Sequence, residues 1–474
     1  MPSRSAISPG GGARTILGAQ LVKLAVRLTS AALLARLLSP DAYGLHGMAA
    51  MIYSLLYMVR DVGVFTAIQQ PGLTTSRFHQ LCALGAGAGL ALAVVCALLG
   101  QPLAWFFDEP RLPPIMAALA VAFLFSGTTL APIALLYREQ RIAAAAGLDV
   151  TATVISTITA LVAAASGAGV WSLVLLSIAY EVTMAIGSWW LSPWRPGWRI
   201  AGGGWSGILA LSVNLTGHTV AHYLARTVDQ VVVGRMGRAS DLGLYGRGVQ
   251  ATTALLQVAV APLSGWGVTS LARLRDDRAA FTALAARFLN GLFHFSLAPA
   301  ALCVVAPETV VRIFFGPRWL EAAGVVQWLG IATAVQPWLF VQSWMLQAGG
   351  HTRRLLTTSL LGLALITTAC LLARGHGLET IAQATAIGTL LHALVALPLG
   401  TKPLGLRAGD LLRPLLAPVI IHGGLALALV ALRRLAPDAA WWWPLPLAAG
   451  YYGAAWIVFP AVRRETRDHF LWRP

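Results

Sequence analysis

Apolar runs long enough to cross a membrane recur along the whole chain and are separated by short polar turns. Runs of about 18 or more residues with few charges are typical of transmembrane helices. The connections between the runs are too short to hold an extramembrane domain. The pattern predicts fourteen spans, at 15–38, 44–69, 80–107, 112–136, 142–166, 170–192, 206–235, 241–268, 285–306, 320–347, 354–374, 377–398, 411–433 and 440–461.

The composition supports this prediction. Hydrophobic residues make up 57% of the 474 residues and charged residues only 11%, whereas a soluble chain of this length needs a larger polar surface. We therefore expect an all-α polytopic membrane protein. The cysteines all lie inside apolar runs and form no CxxC pair, which predicts small buried thiols rather than disulfides or metal ligands.

The net charge of +16 does not indicate nucleic-acid binding, because no soluble basic face with interleaved aromatic residues is present. Lys and Arg concentrate on the cytoplasmic side of membrane proteins. With both termini placed inside, the inner loops contain more than twice as many basic residues as the outer loops. We therefore expect a multi-pass protein of the cytoplasmic (inner) membrane with both termini cytoplasmic. No small-residue cleavage site follows a compact apolar core, so a removable signal peptide is not expected.

Several basic residues lie within predicted spans, namely Lys23, Arg27, Arg60, Arg226 and Arg247. A cation at the centre of a bilayer costs about 2.5–3.5 kcal/mol even on insertion scales. Lys23 and Arg27 are four residues apart and share one face of span 1. His222 and Arg226 have the same spacing in span 7. We therefore expect each of these charged side chains to contact an oppositely charged partner, water or a ligand.

A shift of 199 residues places span 1 on span 7. It aligns Arg27 with Arg226 and Gly44 with Gly243. An even number of spans separates the copies, so the two halves share one orientation, as in the parallel repeats of some secondary transporters. The predicted organisation is an N-terminal lobe at 1–192, a linker at 193–205, a C-terminal lobe at 206–398, and two additional spans with a cytoplasmic tail at 399–474.

The most specific sequence signal follows span 1. Ser39, Pro40, Asp41, Tyr43 and Gly44 form a turn, and Arg60, Asp61 and Gly63 come later in the same hairpin. This arrangement resembles the polysaccharide-flippase branch of the multidrug/oligosaccharidyl-lipid/polysaccharide (MOP) exporter superfamily. The stretch "ARTVDQVVVGRMGRASDLGLYGRGVQ" (225–250) is similar to the span 7–8 region of that family.

The resemblance implies two parallel six-helix lobes that form a V-shaped central cavity, with two extra C-terminal helices. It also implies a flippase that moves polyprenyl-pyrophosphate-linked oligosaccharides across the cytoplasmic membrane by ion-coupled alternating access, for surface polysaccharide biosynthesis. The expected partners are this lipid-linked substrate, membrane lipids, and the polymerase and glycosyltransferases of the same pathway. The protein is expected to be a monomer that binds no nucleic acid.

A pyrophosphate requires positive charge in a water-filled cavity, and Arg binds phosphate oxygens bidentately. The candidate substrate-binding residues are Lys23, Arg27, Arg60, His222 and Arg226. Buried carboxylates can carry a proton or bind sodium, so the candidates for a coupling H⁺ or Na⁺ are Asp61, Asp149, Glu181 and Asp229. The alternative is that cations and carboxylates form structural ion pairs. No cofactor or metal site is expected, because His218 and His222 lack a third ligand.

Two other classes of protein fit the sequence less well than a flippase. An organic-cation or multidrug antiporter of the same fold would need an acidic, aromatic cavity. A membrane enzyme is not expected, because the outer loops are too short for a catalytic domain, and ATP-driven transport is not expected without a Walker A loop.

Overall fold

The computed structural model describes residues 9–60, 64–69, 73–194, 220, 223–435, 442–444, 446–448, 450 and 451. These residues form helices joined by short turns and contain no β-strand. The helices are α1 (Pro9–Leu37), α2 (Pro40–Val59), α3 (Val64–Gln69), α4 (Thr75–Leu98), α5 (Gly100–Phe107), α6 (Leu112–Arg138), α7 (Ile142–Ala165), α8 (Trp171–Leu191), α9 (Val228–Met236), α10 (Ala239–Arg273), α11 (Arg278–Val305), α12 (Pro307–Phe314), α13 (Ala323–Ala348), α14 (Thr352–Leu372), α15 (Leu378–Thr401), α16 (Ala408–Leu412) and α17 (Leu416–Leu435). Short 3₁₀ helices lie at Pro317–Ala322, Lys402–Leu404 and Arg413–Leu415.

Eleven stretches of the described residues are long and apolar enough to cross a membrane. They are Gly18–Leu37, Pro40–Val59, Thr75–Phe107, Leu112–Arg138, Ile142–Ala165, Trp171–Leu191, Arg278–Val305, Pro317–Ala348, Thr352–Leu372, Leu378–Leu404 and Ala408–Leu435. They correspond to predicted spans 1–6 and 9–13, so the prediction of an all-α, multi-pass protein is confirmed for this part of the chain. Span 8 forms the 35-residue helix α10, which is not among the eleven. Predicted spans 7 and 14 fall largely outside the described residues.

The boundaries of span 2 differ from the prediction. Helix α2 begins at Pro40, because the Ser39 side chain accepts a hydrogen bond from the Ala42 N–H at 3.3 Å and proline suits the first helical position. It ends at Val59, and α3 is a separate helix. The single span at 44–69 was therefore wrong at both ends. The charged residues Arg60 and Asp61, followed by Gly63, interrupt the apolar pattern directly after Val59, and the predicted span passed over them.

The chain forms two compact units. The first contains Met1–Tyr223 and Gly234–Gly243, and the second contains Leu224–Val233 and Leu244–Pro474. The predicted linker at 193–205 lies mostly outside the described residues, so the predicted domain limits stay a prediction.

Helix α6 is central to the first unit, where it contacts α2, α3, α4, α5, α7 and α8. Glycines allow its closest contact, with α4. A Cβ atom at Gly89 would lie 2.7 Å from the carbonyl oxygen of Phe123, and one at Gly127 would lie 2.5 Å from that of Gly85. Membrane helices use small residues in this way to bring their backbones together.

The first turns of α2 and α10 also meet through glycine, within the same unit. A Cβ atom at Gly44 would overlap the carbonyl oxygen of Ala239, and one at Gly243 would overlap that of Pro40. Pro40 and Ala239 are 199 residues apart, as are Gly44 and Gly243. The two glycines therefore make equivalent contacts in opposite directions.

Arg111 connects the α5–α6 loop to the start of α2 through hydrogen bonds. Its guanidinium donates to both carboxylate oxygens of Asp41, at 2.8 and 3.0 Å, and to both of Glu109, at 2.7 Å. Bidentate, charge-assisted hydrogen bonds of this kind are among the stronger polar contacts. They stabilise the ionised carboxylate and thereby hold the pKa of Glu109 below its ordinary value.

In the second unit, α13 packs against α11 and α15, α14 packs against α15, and α11 contacts α17. Its core contains edge-to-face aromatic pairs. The Phe288 ring lies 5.0 Å from Trp266 and 5.5 Å from Trp344, centroid to centroid. All four cysteines of the chain are buried and free, as the sequence predicts.

Candidate functional site

The Lys23 ammonium on α1 forms an ion pair with the Asp149 carboxylate on α7. The Tyr180 hydroxyl on α8 donates to the other Asp149 oxygen at 2.7 Å. The side chains of Lys23 and Asp149 are 14% and 24% exposed, so the pair is largely shielded. One carboxylate therefore links three helices of the first unit.

Arg60, directly after α2, lies beside Glu181 of α8, with 3.9 Å between Nη1 and Oε2. The same Nη1 donates to the Tyr57 hydroxyl at 2.9 Å, and the guanidinium carbon lies 4.0 Å from the centre of the Tyr57 ring. The Glu181 side chain is only 5% exposed. The buried Nε of Arg60 has no hydrogen-bond partner among the described residues.

A cavity of about 310 Å³ lies beside both ion pairs. Its walls come from α2, α3, α6, α7, α8 and the residue after α2, all in the first unit. The charged residues that line it are Arg60, Asp149 and Glu181, and the hydroxyl-bearing residues are Tyr57, Thr129, Tyr137 and Tyr180. The remaining wall is apolar. The structure thus brings three of the predicted site residues to one cavity.

Arg27 differs from these residues. It lies on α1, one turn from Lys23, and its side chain is exposed. It forms neither an ion pair nor a hydrogen bond with the described residues. Arg27 thus lies in a candidate span, and its guanidinium is available to bind a ligand.

Arg226, the predicted counterpart of Arg27, lies in the second unit. With the Gln257 amide turned so that its oxygen faces Arg226, that oxygen accepts from Nη2 at 2.9 Å and Nη1 at 3.0 Å. The guanidinium carbon also lies 5.6 Å from the centre of the Phe340 ring. The direct contacts of Arg226 are therefore with neutral groups, while the Asp229 carboxylate attracts it electrostatically without an ion pair.

Asp229 is buried in the second unit among hydroxyl groups. Its Oδ2 accepts a hydrogen bond from the Tyr245 hydroxyl at 2.9 Å. That hydroxyl also lies 3.1 Å from the Thr385 hydroxyl. In the described part of the chain, no basic side chain forms an ion pair with Asp229, unlike Asp149 and Glu181.

Two predicted site residues, Asp61 and His222, lie outside the described residues. No group of three or more His, Cys, Asp or Glu residues that could hold a metal occurs in the ranges that the structure describes. The proposed roles of all nine candidate residues stay predictions.

The uncharged side chains that contact Arg60, Asp149 and Arg226 were not predicted from the sequence. Tyr57 lies three residues before Arg60, a helical spacing that could have indicated the contact. Tyr180 gave no such signal, because its partner Asp149 lies on another helix. Gln257 and Arg226 are as far apart along the chain as Tyr180 and Asp149, so their contact gave no local signal either.

A family model described as "polysaccharide biosynthesis protein" matches residues 33–324, more than half of the chain. The chain belongs to this family. The match begins within span 1 and includes the turn at 39–44 and the second-half stretch at 225–250. The resemblance predicted from those two segments is confirmed.

Two curated proteins are similar to the chain. The succinoglycan biosynthesis transport protein ExoT of Rhizobium meliloti (strain 1021) is 20% identical over 315 residues, which cover 65% of this chain and 63% of that protein. The lipopolysaccharide biosynthesis protein WzxC of Escherichia coli (strain K12) is 23% identical over 335 residues, which cover 67% and 65%. The chain thus covers less than two thirds of the length of either relative.

Solved structures establish the fold. The lipid II flippase MurJ, in an inward closed conformation, aligns with a TM-score of 0.69 at 12% identity, over 96% of this chain and 99% of that one. An inward-facing multidrug resistance MATE family transporter of the MOP superfamily aligns with a TM-score of 0.68 at 14% identity, over 83% and 98%. The chain therefore has the fold of MOP transporters.

Proposed function

We propose that this protein is a flippase that moves polyprenyl-pyrophosphate-linked oligosaccharides across the cytoplasmic membrane for surface polysaccharide biosynthesis. The MOP transporter fold and membership of the polysaccharide biosynthesis family support this function. The named relatives add support, since one is a transport protein for succinoglycan biosynthesis and the other acts in lipopolysaccharide biosynthesis. Such a protein moves its substrate by alternating access and catalyses no reaction.

The observation that carries the proposal is Arg27, which is exposed within a candidate span and forms no ion pair with the residues that the structure describes. A cation in contact with lipid at this depth costs about 2.5–3.5 kcal/mol, so the position favours contact with water or an anion. A guanidinium binds phosphate oxygens bidentately. We assign the pyrophosphate to Arg27. Arg226 of the second unit stays a separate candidate cation, chosen from the sequence repeat.

A transport assay with two substitutions tests this assignment. Lipid-linked oligosaccharide extracted from the source cells is placed in the inner leaflet of vesicles, and a glycosidase added outside reports its arrival. We expect Arg27→Ala plus Arg226→Ala to slow movement by at least about tenfold, equivalent to about 1.4 kcal/mol. Arg354→Ala, at an exposed position on α14, is the control. Unchanged movement in the double variant would rule out the cationic site.

Coupling to an ion gradient is the next part of the proposal. Asp149 and Glu181 lie within ion-pair distance of basic side chains, whereas no described basic side chain forms an ion pair with Asp229, whose hydrogen bonds come from the Tyr245 hydroxyl and the Gln230 N–H. We therefore favour Asp229 as the group that binds H⁺ or Na⁺. Transport in Asp229→Asn vesicles should no longer respond to the gradient that drives the wild type. A retained response would exclude this residue.

The orientation and the complete architecture belong to the same proposal. The distribution of basic residues supports a place in the inner membrane with both termini cytoplasmic. Fourteen spans in two six-helix lobes, with two extra helices, agree with the hydropathy pattern. The polymerase and glycosyltransferases of the pathway are the proposed partners, and the protein acts as a monomer.

An organic-cation antiporter is the second candidate, because the cavity in the first unit has carboxylate and aromatic walls. Its carboxylates are already neutralised by Lys23 and Arg60, which weakens this alternative. Drug resistance that depends on the protein, with no change in surface glycan, would favour it.

A further inference from the structure

The charged groups around the cavity of the first unit occur in opposite pairs. Asp149 pairs with Lys23, and Glu181 lies beside Arg60. An anion or a cation entering the cavity would have to separate one of these pairs, and a shielded charge without its partner is strongly unfavourable. The cavity therefore favours a ligand that is uncharged but polar.

The walls offer both hydrogen bonds and flat apolar surface. The lining hydroxyl-bearing residues Tyr57, Thr129, Tyr137 and Tyr180 can donate or accept hydrogen bonds. The lining carboxylates can accept several hydrogen bonds each. The Phe65 and Tyr137 rings pack edge to face, 5.6 Å apart, and both line the cavity. A ring that has hydroxyl groups at its edge and C–H groups on its faces matches both kinds of wall.

The volume limits the size of such a ligand. About 310 Å³ equals roughly ten water molecules at about 30 Å³ each. That space admits a monosaccharide ring and is too small to enclose a whole lipid-linked oligosaccharide. We propose that this cavity holds one uncharged sugar ring of the transported glycan, while the pyrophosphate binds to Arg27. This inference rests on the proposed function.

Binding of simple sugars to the full chain tests this subsite. The protein is placed in phospholipid nanodiscs free of glycoside detergent. Saturation-transfer NMR then measures binding of the methyl glycosides of glucose, galactose, mannose and N-acetylglucosamine. We expect at least one of them to bind, and neither inorganic pyrophosphate nor tetraphenylphosphonium to displace it.

Two variants locate the bound sugar. Ala145→Leu adds bulk to a buried residue of the cavity wall and should abolish the signal, whereas Ala143→Leu changes an exposed residue of the same helix and should leave it intact. Tyr180→Phe should weaken binding by about five- to tenfold through loss of one hydrogen-bonding group. Tyr451→Phe removes a tyrosine hydroxyl from the second unit and is its control.

The outcomes separate this subsite from the proposed function. No signal from any of the four glycosides, an equal signal in Ala145→Leu, or displacement by tetraphenylphosphonium or pyrophosphate would overturn the subsite. If the wild type moves lipid-linked oligosaccharide in vesicles while these glycosides fail to bind, only the subsite is lost. Sugar binding without any transport would instead contradict the flippase function.

Discussion

Lys23 and Arg27 lie one helical turn apart on α1 and have different environments. Lys23 is paired with Asp149, whereas Arg27 is exposed and has no described partner. Their spacing predicts a shared face, but it does not show which of them meets a carboxylate on another helix. Contacts of that kind depend on packing between distant segments, which local periodicity does not encode.

The Lys23–Asp149 pair predicts a non-additive loss of stability. Asp149→Asn leaves a shielded ammonium without its counter-ion and should cost about 2 kcal/mol, less than the 3–5 kcal/mol of a fully buried pair. The double variant Lys23→Met, Asp149→Asn should lose less than the two single variants together. Thermal unfolding in detergent measures both effects, with the exposed Asp276→Asn as control. Strictly additive losses would contradict the ion pair.

The contacts of Arg111 with Glu109 predict that the stability of the folded protein depends on pH. Because the folded Glu109 has a pKa below its ordinary value of 4.5, its stabilising effect is complete above about that pH and is lost as the pH falls through the folded pKa. The stability difference between wild type and Arg111→Gln should therefore be large near pH 6 and smaller near pH 3. Unfolding midpoints across this range measure it, with the exposed Arg318→Gln as control. A difference that stays constant with pH would exclude this linkage.

At the level of helices, hydropathy located most spans but missed the break after α2. A Pro-containing, Ser-capped start is visible in the sequence as "SPDAYG" and could have moved the predicted start to Pro40. Arg60, Asp61 and Gly63 directly after Val59 are also visible in the sequence and could have moved the predicted end. The backbone contact between Gly44 and Gly243 was also not predicted, although the shift of 199 residues had aligned these two glycines.

This contact predicts that Gly243 tolerates no side chain. Gly243→Ala places a methyl group on the Pro40 carbonyl oxygen and should lower the yield and the unfolding temperature of the protein. Gly246→Ala, on the same helix, meets its nearest atom only at 3.8 Å and should be neutral or slightly stabilising, because alanine favours helix. Equal stability of the two variants would show that the glycine contact is unimportant.

For the whole molecule, composition and the turn at 39–44 were enough to predict an all-α membrane protein of the polysaccharide biosynthesis family. Three predicted site residues, Arg60, Asp149 and Glu181, line one cavity. Which opposite charge each of them meets could not be predicted from the sequence, because the partners lie on helices that only the fold brings together. Tyr180 was missed for the same reason, whereas the spacing of Tyr57 and Arg60 could have indicated their contact.

The central claim is that the protein moves a lipid-linked glycan rather than an organic cation. One set of wild-type vesicles can test both substrates, with lipid-linked oligosaccharide followed by external glycosidase and ethidium followed by fluorescence. The account predicts movement of the glycan well above that in protein-free vesicles, with no gradient-driven movement of ethidium. Ethidium transport, with glycan movement no faster than in protein-free vesicles, would contradict it.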